Sequence, residues 1–421
     1  MVVTDATRAD LVTRNTRLLV GAQVMLWGSA GSFAAYGPIS VFDLSHRESL
    51  VGVMLALFHL GVATGALLMG RVMDRAGRRP GLAASYGLLI AGGLAAAASV
   101  AAGSVPILLA VGAIFGVGAA GALLGRTAVA DMYPPERRGR AVGNLVVVGT
   151  IGAIGGPPLA GGFYSVARRM DLFEPLAGPW LLIPILSLVG LGFVLRLRPD
   201  PRDLAVETPG TPGSGRSPAE ILRLRPGTVA VVSIGVAQAV MVTFMSIIPV
   251  VVHSHGAAAL TVSLIVSGHL AGMFAFSQVV GMALDRWGRR TGLLAGVLTS
   301  AAGVLLGGFG GGTFLPAVGL FLIGVGWCAA YLGSTAVISD LSGPAERGRT
   351  LGLADLVAAL SAATGVLGGA FLLGATSIGV VAVAALVLLA LPLLLLAPLQ
   401  EAGPGQWPQA AVSAVRREPS L

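Results

Sequence analysis

Gly70-Arg71-Val72-Met73-Asp74-Arg75-Ala76-Gly77-Arg78-Arg79-Pro80 is a short charged stretch set between two long apolar runs. About half a chain length later it returns as Gly281-Met282-Ala283-Leu284-Asp285-Arg286-Trp287-Gly288-Arg289-Arg290-Thr291, again between apolar runs. A charged loop repeated in the same setting signals two homologous halves, each made of helices that such loops join.

Composition names the solvent. The 421 residues are 55% hydrophobic and 11% charged, with mean hydropathy +0.86. A soluble globular chain carries about 25% charged residues, so this one is built for a lipid bilayer. The 62 glycines lie mostly inside the apolar runs, where small residues let helices approach closely. A net charge of +8 raises the question of nucleic acid, and placement argues against it. Every basic residue is arginine, and the arginines gather in alternate loops. Cys328, the one cysteine, lies in an apolar run, so no internal disulfide forms.

Runs of roughly 20 apolar residues fall near 18–42, 50–70, 81–103, 106–129, 141–165 and 179–196. The second set falls near 227–252, 260–282, 292–312, 315–338, 350–373 and 377–398. The fold class predicted is an all-α membrane protein, with twelve transmembrane helices in two pseudo-symmetric six-helix bundles. The bundles cover 18–196 and 227–399, with a polar tail at 1–17, a linker at 197–226 and a second tail at 400–421. More membrane follows the first run, so it is retained and is not a signal peptide. The linker is rich in Pro, Gly and Arg and reads as a tether. Within it Ser217-Pro218-Ala219-Glu220 has the form of a capping box, predicting a short helix through Leu224 along the membrane surface.

Arginine sets the orientation. Arg71, Arg75, Arg78, Arg79, Arg137, Arg138, Arg140, Arg286, Arg289, Arg290, Arg347 and Arg349 all lie in loops on one side, against Arg47, Arg168 and Arg169 on the other. Positive charge stays on the cytoplasmic side, which predicts cytoplasmic N- and C-termini in the plasma membrane.

The repeated loop resembles the G-x-x-x-D-R-x-G-R-R signature of major facilitator superfamily transporters, carried between their second and third helices. Asp131-Met132-Tyr133-Pro134-Pro135-Glu136-Arg137-Arg138-Gly139-Arg140, echoed from Asp340 to Arg349, resembles the family's D-x-x-P-x-x-x-R-G-R pattern. Pro157-Pro158-Leu159-Ala160-Gly161-Gly162 is similar to the G-P-x-x-G-G motif of drug:proton antiporters, and departs from it with proline in place of the first glycine. Met241 to Arg290 resembles a bacterial branch of uncharacterised efflux proteins. The resemblance covers essentially the whole membrane part of the chain.

The resemblance implies a cytoplasmic latch. Asp74 would meet the N-terminal end of the eleventh helix, where a carboxylate favours the helix dipole, and Arg78 would bridge Asp74 and Asp131. Gly70, Arg75 and Gly77 complete the first set, and Asp285, Arg289 and Asp340 repeat it in the second half. The plainer reading is that these arginines only set topology, a task that does not require aspartates at fixed spacing. The family's proton-exchange pair is missing. Gly112 stands where many members have an arginine, four residues before Gly116-Val117-Gly118. The first helix has Gln23, Trp27, Ser29 and Ser32 but no acid in its membrane core.

Ionisable groups within spans are functional candidates by default. His59 and His269 lie about 16–18 Å along the helix from Gly70 and Gly281, at matching places near the midplane. Asp355 lies a turn or two into the eleventh run. All three are candidates for proton coupling; the alternatives are a neutral histidine bonded to a neighbouring helix and a solvated carboxylate at a helix start. In the family, helices 1, 4, 7 and 10 line the substrate cavity, which here gives Gln23, Trp27, Tyr36, Gln238, Met241, Met245, Trp327 and Tyr331. Such aromatic, methionine and amide groups suit a bulky amphipathic molecule, or they pack helices. No nucleophile–base set, metal-ligand cluster or phosphate loop appears, so no enzyme activity, cofactor or metal is expected. The function implied is export of small amphipathic organic compounds by alternating access, with protons as coupling ion, in a monomer. Uptake or facilitated diffusion of a metabolite, and a non-transporting receptor or scaffold, are the alternatives.

Overall fold

The structure, a computed structural model, describes residues 5–171, 174–206 and 216–401. Residues 1–4, the middle of the linker at 207–215 and the tail at 402–421 lie outside the described residues. The helices of the first half are α1 (Asp5–Ser45), α2 (Glu48–Ala76), α3 (Arg78–Ala101), α4 (Val105–Leu123), α5 (Gly125–Met132), α6 (Pro135–Met170) and α7 (Ala177–Leu195). A 3-10 turn (Pro201–Leu204) and α8 (Pro218–Arg223) lie in the linker. The second half holds α9 (Arg225–Ser254), α10 (Ala259–Phe274), α11 (Ser277–Trp287), α12 (Arg289–Phe309), α13 (Phe314–Leu341), α14 (Pro344–Ala375) and α15 (Ile378–Leu396). No strand occurs among the described residues.

Twelve helical stretches are long and apolar enough to cross a membrane, as the sequence predicts. Two of them are interrupted. α4 and α5 together make the span Val105–Met132, and α10 and α11 make Ala259–Trp287. At the first break Leu124 has ψ −4°, and at the second Phe276 has ψ 1°, well away from the helical value near −42°. α1 also begins earlier than its apolar run, inside the stretch read as a polar tail. Its polar residues find partners in the linker: Arg8 Nη2 donates to Leu204 O at 2.9 Å and Asn15 Nδ2 to Pro199 O at 3.0 Å.

The chain packs as two compact units, Met1–Thr208 with Pro249–Leu270, and Pro209–Ile248 with Ala271–Leu421. The first unit therefore includes the end of α9, beyond its internal Pro249, and most of α10. Within it α2 and α4 meet backbone to backbone. A Cβ at Gly61 would overlap Ala113 O, and one at Gly116 would overlap Phe58 O. Lipid gives no hydrophobic drive between helices, so this close contact is what holds such a pair.

The linker is fixed at both described ends. Val206 N donates to Asp131 O at 2.9 Å in the first unit. In the second, the capping box forms: Glu220 N donates to Ser217 Oγ at 3.2 Å and Ser217 N to Glu220 Oε2 at 2.7 Å. α8 does not lie free. Its Ile221 and Leu222, with Leu224, are buried against Leu293, Val337, Ile338, Leu341, Ala354 and Leu396.

Candidate functional site

The repeated loop is a tight reversal made by glycine. Gly77 ends α2 with φ 103°, ψ 166°, and Gly288 ends α11 with φ 90°, ψ 161°, a region essentially closed to other residues. Their N–H groups donate to Met73 O and Leu284 O. The turn puts Arg78 at the start of α3 and Arg289 at the start of α12. Arg78 Nη1 lies 3.2 Å from Asp74 Oδ1, and its Nε lies 2.9 Å from Asp131 Oδ2. In the other half Arg289 Nη1 lies 2.8 Å from Asp285 Oδ1 and its Nε 3.3 Å from Asp340 Oδ2. Each arginine thus holds one exposed and one largely covered carboxylate: 73% against 27% in the first half, 77% against 23% in the second. Arg75 is exposed, and a Cβ at Gly70 or Gly281 would meet no atom within 4 Å.

Two further carboxylates complete these clusters. Asp200 accepts from the backbone N–H of Arg78 (3.1 Å) and of Arg79 (2.9 Å). Glu401 accepts from Arg289 N and Arg290 N, both at 2.9 Å. These are the N–H groups a helix start leaves without an intrahelical partner. A Cβ at Gly77 would stand 2.8 Å from Asp200 Oδ2, and one at Gly288 would stand 2.6 Å from Glu401 Oε2. Glycine is thus required there twice over, by the turn and by the carboxylate. Sequence reasoning misses both acids, although each follows the last span of its half. Glu346, 1% exposed, accepts from Gly343 N (3.2 Å), Arg216 N (3.2 Å) and Arg216 Nη2 (3.1 Å).

The cavity candidates fall into groups. In the first unit Gln23 and Trp27 both face α6, where a Cβ at Gly149 would lie 2.8 Å from Trp27 Cδ1 and 3.2 Å from Gln23 Cγ. Tyr36 is buried, its hydroxyl 3.1 Å from Ser263 Oγ and its ring stacked on Tyr164. Pro157 and Pro158 lie inside α6, with Pro157 packed close to Gly31. Gly161 faces the Tyr36–Ser263 contact, and Gly162 faces open space. In the second unit Trp327 Nε1 donates to Gln238 Oε1 at 2.6 Å. Its ring stacks on Tyr331 at 5.0 Å and 20°, with Phe274 edge-on at 6.2 Å. Met241 is buried and Met245 half-buried.

The ionisable candidates stand apart. His59 is half-buried with its ring edge-on to Phe58 at 5.0 Å, while His269 is fully buried. No hydrogen bond joins the two histidines. α14 starts at Pro344, so Asp355 lies about three turns in, and it is exposed. Among the described residues no group of three or more His, Cys, Asp or Glu is placed to hold a metal ion.

At the end of the first unit away from the arginine loops, His253 Nε2 meets Asp43 Oδ2 at 3.2 Å. Nearer the middle of α6, Ser267 Oγ donates to Ile154 O. With the Tyr36–Ser263 contact, these bonds tie α1 and α6 to the end of α9 and to α10. Single short polar residues in apolar runs gave no sign of this seam.

The sequence profile of the family described as Major Facilitator Superfamily matches residues 18–248 and 230–420. The chain is 32% identical over 384 residues to the uncharacterized MFS-type transporter YdeG of Bacillus subtilis (strain 168), covering 86% of this chain and 87% of that one. It is 31% identical over 366 residues to the riboflavin transporter RfnT of Brucella anthropi, covering 84% and 87%. Among solved structures, an auto-inhibited POT family peptide transporter superposes with TM-score 0.71 at 12% identity, covering 93% of this chain and 98% of that one. A D-xylose-proton symporter superposes with TM-score 0.64 at 19% identity, covering 90% and 96%. At these identities the solved structures speak for the fold alone.

Proposed function

The chain belongs to the major facilitator superfamily, as a multi-pass membrane transporter and not an enzyme, and from that premise we propose that it exports small amphipathic organic compounds by alternating access. Protons are the coupling ion, with Asp355, His59 and His269 as candidate carriers, in a monomer of the plasma membrane with both termini cytoplasmic. The observation that carries the substrate class is the Trp327–Tyr331 stack with the Gln238 amide on Trp327 Nε1. It offers an aromatic surface beside polar groups, which suits a molecule with a flat apolar body and a hydrogen-bonding edge. The Asp74–Arg78–Asp131 and Asp285–Arg289–Asp340 triads serve as latches on the cytoplasmic side.

The test is flux in liposomes across a panel of amphipathic organic compounds, with a pH gradient imposed in either direction. Export predicts that protons moving one way drive substrate the other. Co-directional movement would replace export with uptake. No substrate-dependent flux across a broad panel would leave only a non-transporting receptor or scaffold.

A further inference from the structure

Arg126 lies in α5, inside the span Val105–Met132, with its side chain exposed. It makes no hydrogen bond or ion pair with any described residue. A charge within a span is costly and almost always faces a water-filled interior or snorkels to the headgroups. Helical projection within α5 sets it beside the buried face. At about 100° per residue Arg126 lies about 60° from Val129, which is buried. That face meets α1, since a Cβ at Gly125, about 40° from Val129 on the same projection, would lie 4.0 Å from Leu19 Cδ2.

The adjoining residue points to a second polar group. A Cβ at Gly125 would lie 3.8 Å from Gln23 Oε1 on α1. Gln23 is only 4% exposed, yet it forms no hydrogen bond with a described residue. Its amide atoms are not among the sealed polar atoms without a partner, so the amide end is the part that reaches open space. Trp27 follows one turn along α1, on the same side against α6.

We propose that Arg126 and Gln23 form an anion subsite in the first unit, which takes the carboxylate of an organic substrate with an aromatic body. The proposal rests on the transporter reading and deepens its substrate class. The guanidinium supplies a planar pair of donors that matches a carboxylate, and the Gln23 amide supplies a further N–H. A neutral analogue of the same shape would leave the guanidinium without a counter-charge.

The test uses matched acids and primary amides, naphthoate against naphthamide and indoleacetate against indoleacetamide, binding to the purified protein in detergent. The acids should bind about tenfold more tightly than the amides, the worth of one charge-assisted hydrogen bond. Arg126→Gln should abolish that preference, and Arg126→Lys should keep part of it. No acid bound more tightly than its amide, or a preference that survives Arg126→Gln, overturns the subsite. A lipid phosphate is the other anion Arg126 could reach. In that case phosphatidylglycerol added to phosphatidylcholine vesicles would stabilise the parent and not Arg126→Gln, with the acid preference unchanged, and the proposal fails. Acid preference without flux of any panel member would instead sink the transporter reading and leave the subsite standing.

Discussion

Asp200 and Glu401 hold the same place in the two halves. Each carboxylate accepts the first two backbone N–H groups of the helix that opens after the repeated loop, α3 for Asp200 and α12 for Glu401. Negative charge at a helix start stabilises it by about 0.3–1 kcal/mol when exposed and up to about 2 kcal/mol when partly buried. Asp200→Asn and Glu401→Gln should therefore each cost about 1 kcal/mol, read as a lowered midpoint of thermal unfolding in detergent. An unchanged midpoint would show that water caps these helices equally well.

The loop glycines separate by position. Gly77→Ala and Gly288→Ala should each cost about 1–3 kcal/mol from backbone strain, beyond any loss from displacing Asp200 or Glu401. Gly70→Ala and Gly281→Ala should stay within about 0.5 kcal/mol, since a methyl there meets nothing. The same unfolding measurement ranks all four, and equal effects at the two positions would refute the distinction.

The latch makes an asymmetric prediction. Asp131 is better covered than Asp74, at 27% against 73% exposure, and it pairs with the same arginine. Asp131→Asn should bias the transporter toward inward-facing states more strongly than Asp74→Asn. Cysteines introduced at the arginine-loop ends of α5 and α13, after Cys328→Ala, report the bias through their labelling rates. Unchanged labelling and unchanged transport in both variants would reduce the triads to topology signals.

The Asp43–His253 pair calls for a double-mutant cycle. The two side chains are only 33% and 23% exposed, so water screens the contact less than one at the open surface. A coupling of about 1 kcal/mol between Asp43→Asn and His253→Gln is expected in thermal stability. Strictly additive effects would show that the contact contributes nothing.

The remaining ionisable groups differ in setting and should differ in effect. His269 is fully buried, so His269→Gln should lower stability as well as transport, whereas half-buried His59→Gln should fold normally. Transport rate against external pH identifies a titrating group, because glutamine keeps a donor and an acceptor but takes up no proton. Asp355→Asn should abolish accumulation driven by a pH gradient while substrate binding remains. Normal driven accumulation in all three variants would remove them from the coupling step.

The twelve spans are legible in sequence because length and hydropathy alone demand them. The Arg78 and Arg289 triads are what the family resemblance of the repeated loop implies; spacing alone does not pair these aspartates with the arginines. Contacts set by tertiary approach leave much less trace. Nothing near Asp200 announces that it will reach the start of α3, and nothing in the apolar run around Tyr36 announces Ser263. Sequence reading does not single out Arg126, although it falls inside the apolar run at 106–129. That it borders the buried face of α5 needs a helix whose neighbours are known.

The carboxylate caps also carry an order of synthesis. The loop closed by Gly77 is made early, but the acid that completes it arrives only after the sixth span has been made. The second half repeats this delay, because Glu401 follows the twelfth span. Until then the first turns of α3 and α12 leave their N–H groups to water or lipid headgroups. Since chains fold from the N-terminus as they are made, the first bundle can close while the second is still being synthesised. Each bundle thus gains its carboxylate cap only after its last span has been made.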